Sequence, residues 1–165
     1  MADHVDRVLE QWHAERPDLD VSPMAVIGRL SRLSALVDAE LRRTFARHGI
    51  DAATFDVLAT LRRSGPPYRL TPTELMRSAM VTSGAITQRL DKLEARGLVE
   101  RTPDETDGRG RRVELTEAGR ALIDRALPDH VATEHRILAA LGSAERKNLA
   151  ETLRTLLESL GGSGS

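Results

Sequence analysis

The chain has 165 residues, no cysteine and a formal net charge of −1, and 40% of it is hydrophobic with only one Trp, one Tyr and two Phe. This length fits one domain, or one domain with a dimerisation layer, and the core must be Leu, Val, Ile and Ala, which suits packed helices. The lack of cysteine excludes disulfides, thiolate zinc sites and thiol redox sensing, and the near-neutral charge argues against a generic polyanion binder, so any nucleic-acid contact must come from local basic surface.

The first expected helix covers Asp3 to Arg16, where Val5, Val8, Leu9 and Trp12 recur at helical spacing before Pro17 ends it. Ser22-Pro23 supplies a cap and a first-turn Pro, and predicts a long helix to about Arg47. Its stripe is Val26, Ile27, Leu30, Leu33, Val37, Leu41 and Phe45, and His48-Gly49 ends it. Asp51 caps a third helix that carries Phe55, Leu58 and Leu61 inward. Asp56 and Arg63, seven residues apart on it, project within about 20° of each other. Pro66-Pro67 closes the segment, and Tyr68-Arg69-Leu70 reads as a short strand joining a later sheet.

Thr71-Pro72-Thr73-Glu74 combines a capping Thr, a Pro at the first helical position and a Glu placed for a capping box, so a helix runs to about Ser78. Thr82 caps the next helix, which carries Ile86, Leu90 and Leu93 on one face and stops at Gly97. Leu98-Val99-Glu100-Arg101 alternates as a strand, and residues 102–111 are turn-rich and charged. Val113 and Leu115 return as a second strand with Glu114 facing the other way, and Thr116 caps another helix. Helix, turn, helix, strand, charged loop, strand is the outline of a winged helix, whose second helix fits the DNA major groove. Asp107-Gly108-Arg109-Gly110-Arg111-Arg112 puts three arginines in a glycine-loosened loop tip, suited to a minor groove or to phosphates. The plainer reading is a small α+β core with a solvated hairpin.

Two helices follow. Leu122, Ile123, Ala126 and Leu127 precede Pro128, which is expected to kink or split the first, and Val131, Ile137 and Leu138 come after it. Ser143 caps the last helix, where Leu149, Leu153, Leu156 and Leu160 form a seam for packing along another helix. The terminal helices exceed what a small winged helix needs, and the surplus reads as a dimer layer. The expected division is an N-terminal extra helix and dimerisation helix over 1–50, a winged helix-turn-helix lobe over 51–116, C-terminal dimerisation helices over 117–160 and a flexible tail over 161–165. The fold class is mainly α with a small β-wing.

On a helical wheel, Gln88 and Lys92 lie opposite the buried side of the second motif helix. Gln88 can pair with adenine edges, Lys92 with phosphate, and Ser83 and Thr87 with bases or phosphates near the helix start. Arg109, Arg111 and Arg112 are the wing candidates, and Asp107, which repels phosphate, suits orienting a wing arginine. A two-fold dimer would read an approximate palindrome with half-sites one turn apart. Arg89 lies about 70° from the centre of the buried side and needs a partner there. Asp56 can supply it, and Arg63 is close on the same helix face as Asp56. The positive excess of this set could hold a small anion with Trp12 as a flat wall. The same residues also read as a structural ion-pair network with a packed Trp.

Asp107-x-Arg109-x-x-x-Val113-x-Leu115-Thr116, with Gly119 three residues on, resembles the wing signature of the MarR family of dimeric bacterial repressors, Val113 standing where the family usually has Leu. The resemblance covers nearly the whole chain and implies a homodimeric, sequence-specific DNA-binding regulator, expected to be a repressor. Trp12, Asp56, Arg63 and Arg89, with the extra N-terminal helix, are similar to the ligand set of the urate-responsive, HucR- and PecS-like branch. In that branch the ligand is implied to contact Trp and Arg and to disturb Asp, with movement passing through Arg89 to the recognition helix. The effector so implied is urate or a related purine metabolite. The alternative is a citrate- or aconitate-like polycarboxylate, or a phenolic acid.

No enzyme is expected. His4, His13, His48, His130 and His135 lack metal-site spacing, and there is no phosphate-binding Gly loop or nucleophile elbow. No cofactor or metal is called for. No apolar run approaches the roughly 18 residues of a membrane span, and the N-terminus is acidic rather than signal-like, so a cytoplasmic protein without a membrane partner is expected. The expected partners are double-stranded DNA, a small anionic effector and a second copy of the chain.

Overall fold

Local capping chemistry sets most of the helix starts in the computed structural model, which describes residues 2–79, 86–103 and 110–161. The chain divides into two units, Met1–Leu41 and Arg42–Ser165. In the first, Asp3 caps α1 (His4–Glu15) by accepting the Val5 and Asp6 amides at 2.7 and 3.0 Å. Asp6 reciprocates, accepting the Asp3 amide at 2.8 Å. These backbone hydrogen bonds are the main cause that holds both carboxyls below their ordinary range, and Arg29 adds to it. Arg29 belongs to α2 (Pro23–Arg47) and pairs with Asp3 at 2.9 Å and Asp6 at 2.5 Å. α1 comes close to α2 at Gly28, where an added Cβ would lie 3.3 Å from a Val5 methyl. Met24, Val26, Ile27, Leu30, Leu33 and Leu36 of α2 remain exposed.

The second unit contains α3 (Ala52–Arg63), β1 (Arg69–Leu70), α4 (Pro72–Ser78), α5 (Ile86–Ala95), β2 (Val99–Pro103), β3 (Arg111–Leu115), α6 (Glu117–Ile137) and α7 (Ser143–Ser159). Leu58, Leu61, Leu75, Leu90, Leu93, Val113 and Ile123 form its fully buried centre. Phe45 and Phe55 stack at 4.5 Å, and the His130 ring lies against both. The three strands are antiparallel in the order β1-β3-β2, with Arg69 opposite Glu114 and Val99 opposite Leu115. The expected strand around Arg69 and Leu70 therefore does join the wing sheet.

Thr71 and Thr116 cap α4 and α6 as expected, and Asp51 caps α3. Gly97 adopts φ 66°, the left-handed conformation that ends α5. Gly119 has a separate reason to be glycine: a Cβ there would lie 2.0 Å from the Leu98 carbonyl oxygen, so α6 can begin against β2 only without a side chain.

Three expectations are corrected. Arg111 and Arg112 are not at a loop tip but in β3, opposite Pro103 and Thr102. Pairing with β2 draws them into the sheet, a cross-strand effect that a run of charged residues does not announce. Pro128 does not split α6, which is one helix from Glu117 to Ile137. The missing amide costs one hydrogen bond, but the helix is anchored on both sides by buried Ile123, Ala126 and Thr133. Ser143 is the first residue of α7 rather than its cap; Gly142 is the cap, and its amide donates to Glu145 at 2.7 Å. The expected cap Thr82 and the tail residues 162–165 lie outside the described residues. The result is a mainly helical winged-helix fold with a small three-stranded antiparallel sheet. Among the described residues no helix is long and apolar enough to cross a membrane.

Candidate DNA-reading surface and anion clefts

Burial of Leu90 and Leu93 fixes the rotation of α5, so that Thr87, Gln88, Asp91 and Lys92 are exposed. Arg111 on β3 is exposed and Arg112 is half-buried. Ser83, Asp107 and Arg109 lie outside the described residues.

The helix is also tied to the wing by a residue that sequence reasoning treated only as part of a strand. Arg101 of β2 places one guanidinium nitrogen 2.6 Å from Asp91 and another 3.4 Å from Glu94. It also donates to the Thr87 carbonyl at 3.3 Å, while its backbone amide donates to Glu94 at 3.2 Å. Its side chain is 17% exposed. The signal available in the sequence was the acidic pair Asp91 and Glu94 on one side of α5 with a lone arginine in the strand that follows.

Two separate clefts hold Asp56 with Arg63, and Arg89. The first, about 450 Å³, lies between α3 and α6 and is lined by Phe55, Asp56, Ala59, Arg63, Leu127 and His130 among others. Asp56 is buried in this wall, 7% exposed. Arg63 is exposed and donates to the Ser78 carbonyl at the last residue of α4. The neighbouring Arg62 is held by Asp124 at 2.7 Å, and Arg62 and Arg120 cover the Tyr68 ring at 5.0 and 4.9 Å. His130 Nε2 lies 3.1 Å from Glu134.

The second cleft, about 420 Å³, lies between α5 and the start of α3. Gln88, Arg89, Lys92 and Arg96 face Asp51 and Thr54 across it. Arg96 donates to the Gly49 carbonyl at 3.0 Å. Burial acts to raise the Asp51 carboxyl, but the Thr54 amide at 2.7 Å, the Thr54 hydroxyl and Arg89 outweigh it, and the group sits below its ordinary 3.8.

Asp56 and Arg63 thus share a cleft, as their spacing suggested. Arg89 lines the other one, and among the described residues its carboxylate neighbour is Asp51 rather than the expected Asp56. A helical wheel gives the angle of Arg89 around α5, but not which end of α3 that side meets. Trp12, in the first unit, is 43% exposed beside Gln11 and Glu15 on α1, so its ring is not buried core in the single chain. Among the described residues no group of three or more His, Asp or Glu is placed to hold a metal.

Comparison with known proteins places this geometry. A family model described as MarR family matches residues 48–110. The HTH-type transcriptional regulator PecS of Dickeya dadantii is 43% identical over 149 residues, covering 90% of each protein. Sco3205, a MarR family transcriptional regulator from Streptomyces coelicolor solved in complex with DNA, is 27% identical with a TM-score of 0.77, over 86% of this chain and 89% of that one. BpsR of Bordetella bronchiseptica, whose DNA binding is regulated by 6-hydroxynicotinic acid, is 26% identical with a TM-score of 0.71, over 79% of this chain and 91% of that one. A winged helix that presents α5 on its surface, with relatives that regulate transcription rather than catalyse reactions, defines a DNA-binding transcriptional regulator. The chain belongs to the MarR family, and its similarity to PecS extends over nearly its whole length.

Proposed function

We propose that the chain acts as a homodimeric repressor that holds a palindromic operator and is released by a small anionic effector, urate or a related purine metabolite. The dimer layer comprises the helices of 1–50 and 117–160, and the winged lobe covers 51–116. Exposed apolar side chains on and next to α2 and α7 support it: Ile27, Leu33 and Leu36 on α2, Leu156 and Leu157 on α7, and Leu160 just after α7 are at least 40% exposed. An apolar surface on this scale is commonly an interface. The DNA contacts are assigned to Ser83, Thr87, Gln88 and Lys92, with Arg109, Arg111 and Arg112 from the wing and Asp107 orienting a wing arginine.

The observation that carries the effector reading is Arg63. Arg63 lines a cleft with buried Asp56, and its guanidinium also holds the last carbonyl of α4, the helix that leads toward α5. An anion in the cleft competes with that carbonyl for Arg63 and adds negative charge next to Asp56. Both effects favour a different position of α4 and α5, and a ligand weakens DNA binding only by preferring a conformation that does not fit the groove. Arg89, on α5 itself, is assigned the relay to the recognition helix. Trp12 is assigned to the ligand on the family resemblance, and its exposed ring suits stacking on a planar heterocycle. The relative BpsR, regulated by 6-hydroxynicotinic acid, responds to a molecule of this planar, acidic, nitrogen-heterocyclic type.

A polycarboxylate or phenolic acid is the second reading; Arg62 lines the same cleft, and a second carboxylate would have to displace its partner Asp124. Trp12 is the sole Trp, so quenching of its emission tests its assignment to the ligand. Saturable quenching by urate, abolished in Arg63→Gln, is the expected result. A response to citrate alone selects the second reading. No response to either returns Trp12, Asp56, Arg63 and Arg89 to the status of a structural network.

A further inference from the structure

We propose that Tyr68, gripped by Arg62 and Arg120 through Asp124, positions the wing, and that opening of the Arg62–Asp124 pair at the cleft wall releases it. Tyr68 stands where α3, the sheet and α4 meet. Its carbonyl accepts the Leu115 amide at 3.1 Å, next to the rungs that pair Arg69 with Glu114 and Leu70 with Val113. Its backbone takes φ 61°, a left-handed conformation uncommon for a bulky side chain, so its surroundings must hold it there. The ring supplies the hold. The guanidiniums of Arg62, in the last turn of α3, and Arg120, near the start of α6, lie 5.0 and 4.9 Å from its centre. Two guanidiniums over one ring repel each other. Asp124 offsets this: it accepts Arg62 Nε at 2.7 Å and lies 3.8 Å from Arg120 Nε.

The two sides of this clamp face different parts of the lobe. Arg62 and Asp124 line the cleft between α3 and α6, whereas Arg120 and Tyr68 do not. The start of α6 is seated against β2 at Gly119, so Arg120 is the fixed jaw and Arg62 the movable one. The strand that Tyr68 and β1 support is β3, and the same strand carries Arg111 and Arg112. A carboxylate in the cleft that takes Arg62 from Asp124 pulls one guanidinium off the ring, and attraction between a cation and a ring fades beyond about 6 Å. The anchor of β1, and with it the position of the wing arginines, is then loosened. This route reaches the wing through the sheet and is distinct from the relay assigned to Arg89 on α5. It rests on the effector reading only for what opens the Arg62–Asp124 pair.

Tyr68 is the sole tyrosine, so full-length protein labelled with 3-fluorotyrosine gives one fluorine resonance, from this ring. The resonance is followed in the wild type, Asp124→Asn and Arg120→Gln, with operator affinity measured by fluorescence anisotropy in parallel. Without any ligand, both substitutions should shift the resonance and weaken operator binding about two- to fivefold, the effect of losing roughly one exposed cation–π contact. Tyr68→Leu should weaken binding to a similar extent, and Tyr68→Phe, which keeps the ring, should not. When urate or citrate is added, the wild-type resonance should move saturably over the concentrations that release the operator, toward its position in Asp124→Asn. A ring with a purely structural role would not follow the ligand in this way. A resonance or an operator affinity that neither Asp124→Asn nor Arg120→Gln changes overturns the proposal, as does an anion that releases the operator while the resonance stays in place. If neither anion binds, the effector reading fails and the ligand-free variants alone decide the role of the clamp.

Discussion

Replacing Arg101 with Gln removes the charge, and the reach, that holds α5 against the wing. Exposed ion pairs contribute about 0.2–1 kcal/mol, whereas stripping one partner from a fully buried pair costs about 3–5 kcal/mol. Arg101 lies between these limits: its own side chain is 17% exposed, but Asp91 and Glu94 are 58% and 42% exposed and can rehydrate once it is gone. The loss is therefore about 1–2 kcal/mol, which for a chain of this size lowers Tm by roughly 2–8 °C. If half or more of that energy is what keeps α5 in register with the wing, operator affinity falls between about twofold and thirtyfold. The decisive assay is operator binding by fluorescence anisotropy over a range of salt, with Tm measured in parallel. Because Arg101 is engaged internally, its removal should weaken binding while leaving the salt slope unchanged. A slope that falls by one would mean that Arg101 contacts phosphate, and an unchanged affinity and Tm would remove the clamp from the account.

Gly119→Ala places a methyl against the Leu98 carbonyl and should destabilise the protein by about 3 kcal/mol or more, at or above the usual range for overpacking, in urea unfolding; a loss under 1 kcal/mol would show that α6 can shift freely. Asp51→Ala should cost about 1 kcal/mol at neutral pH through the lost α3 cap. Because the folded carboxyl sits below its ordinary 3.8, the native state binds this proton less readily than the unfolded chain. That charge-dependent part of the contribution is complete above the unfolded value and is lost as pH falls through the folded one, so wild type and variant should converge in acid. A gap that persists unchanged at low pH would assign the effect to packing. Leu33→Glu, in the exposed stripe of α2, should shift the protein toward monomer in sedimentation equilibrium; an unperturbed dimer would take this stripe out of the interface.

The helix starts were legible because capping is local. Asp51, Thr71-Pro72 and Thr116 each announce a start through atoms within three residues of one another, and Pro23 opens α2 as expected. Glycines were legible when the need was conformational, as at Gly97, but Gly119 is explained by a carbonyl twenty-one positions away in the chain. The wing was recognised, yet its strands proved longer than the charged residues suggested, since pairing of Arg111 and Arg112 with β2 is decided across the sheet. The same limit applies to the candidate site. Asp56 and Arg63 lie on one helix, so their shared cleft followed from periodicity. The Arg89 and Asp51 neighbourhood, the Arg63 contact to Ser78 and the Arg101 clamp depend on how α3, α4, α5 and β2 pack, which no single-helix wheel contains.

The central claim is that an anion lodged beside Arg63 releases the protein from DNA. Its most direct test is a gel-shift titration of the protein on DNA upstream of its own gene with increasing urate, wild type alongside Arg63→Gln. The account predicts a tight complex that urate dissolves for the wild type and fails to dissolve for the variant. A wild-type complex that neither urate nor citrate disturbs, or a variant released as readily as the wild type, would contradict it.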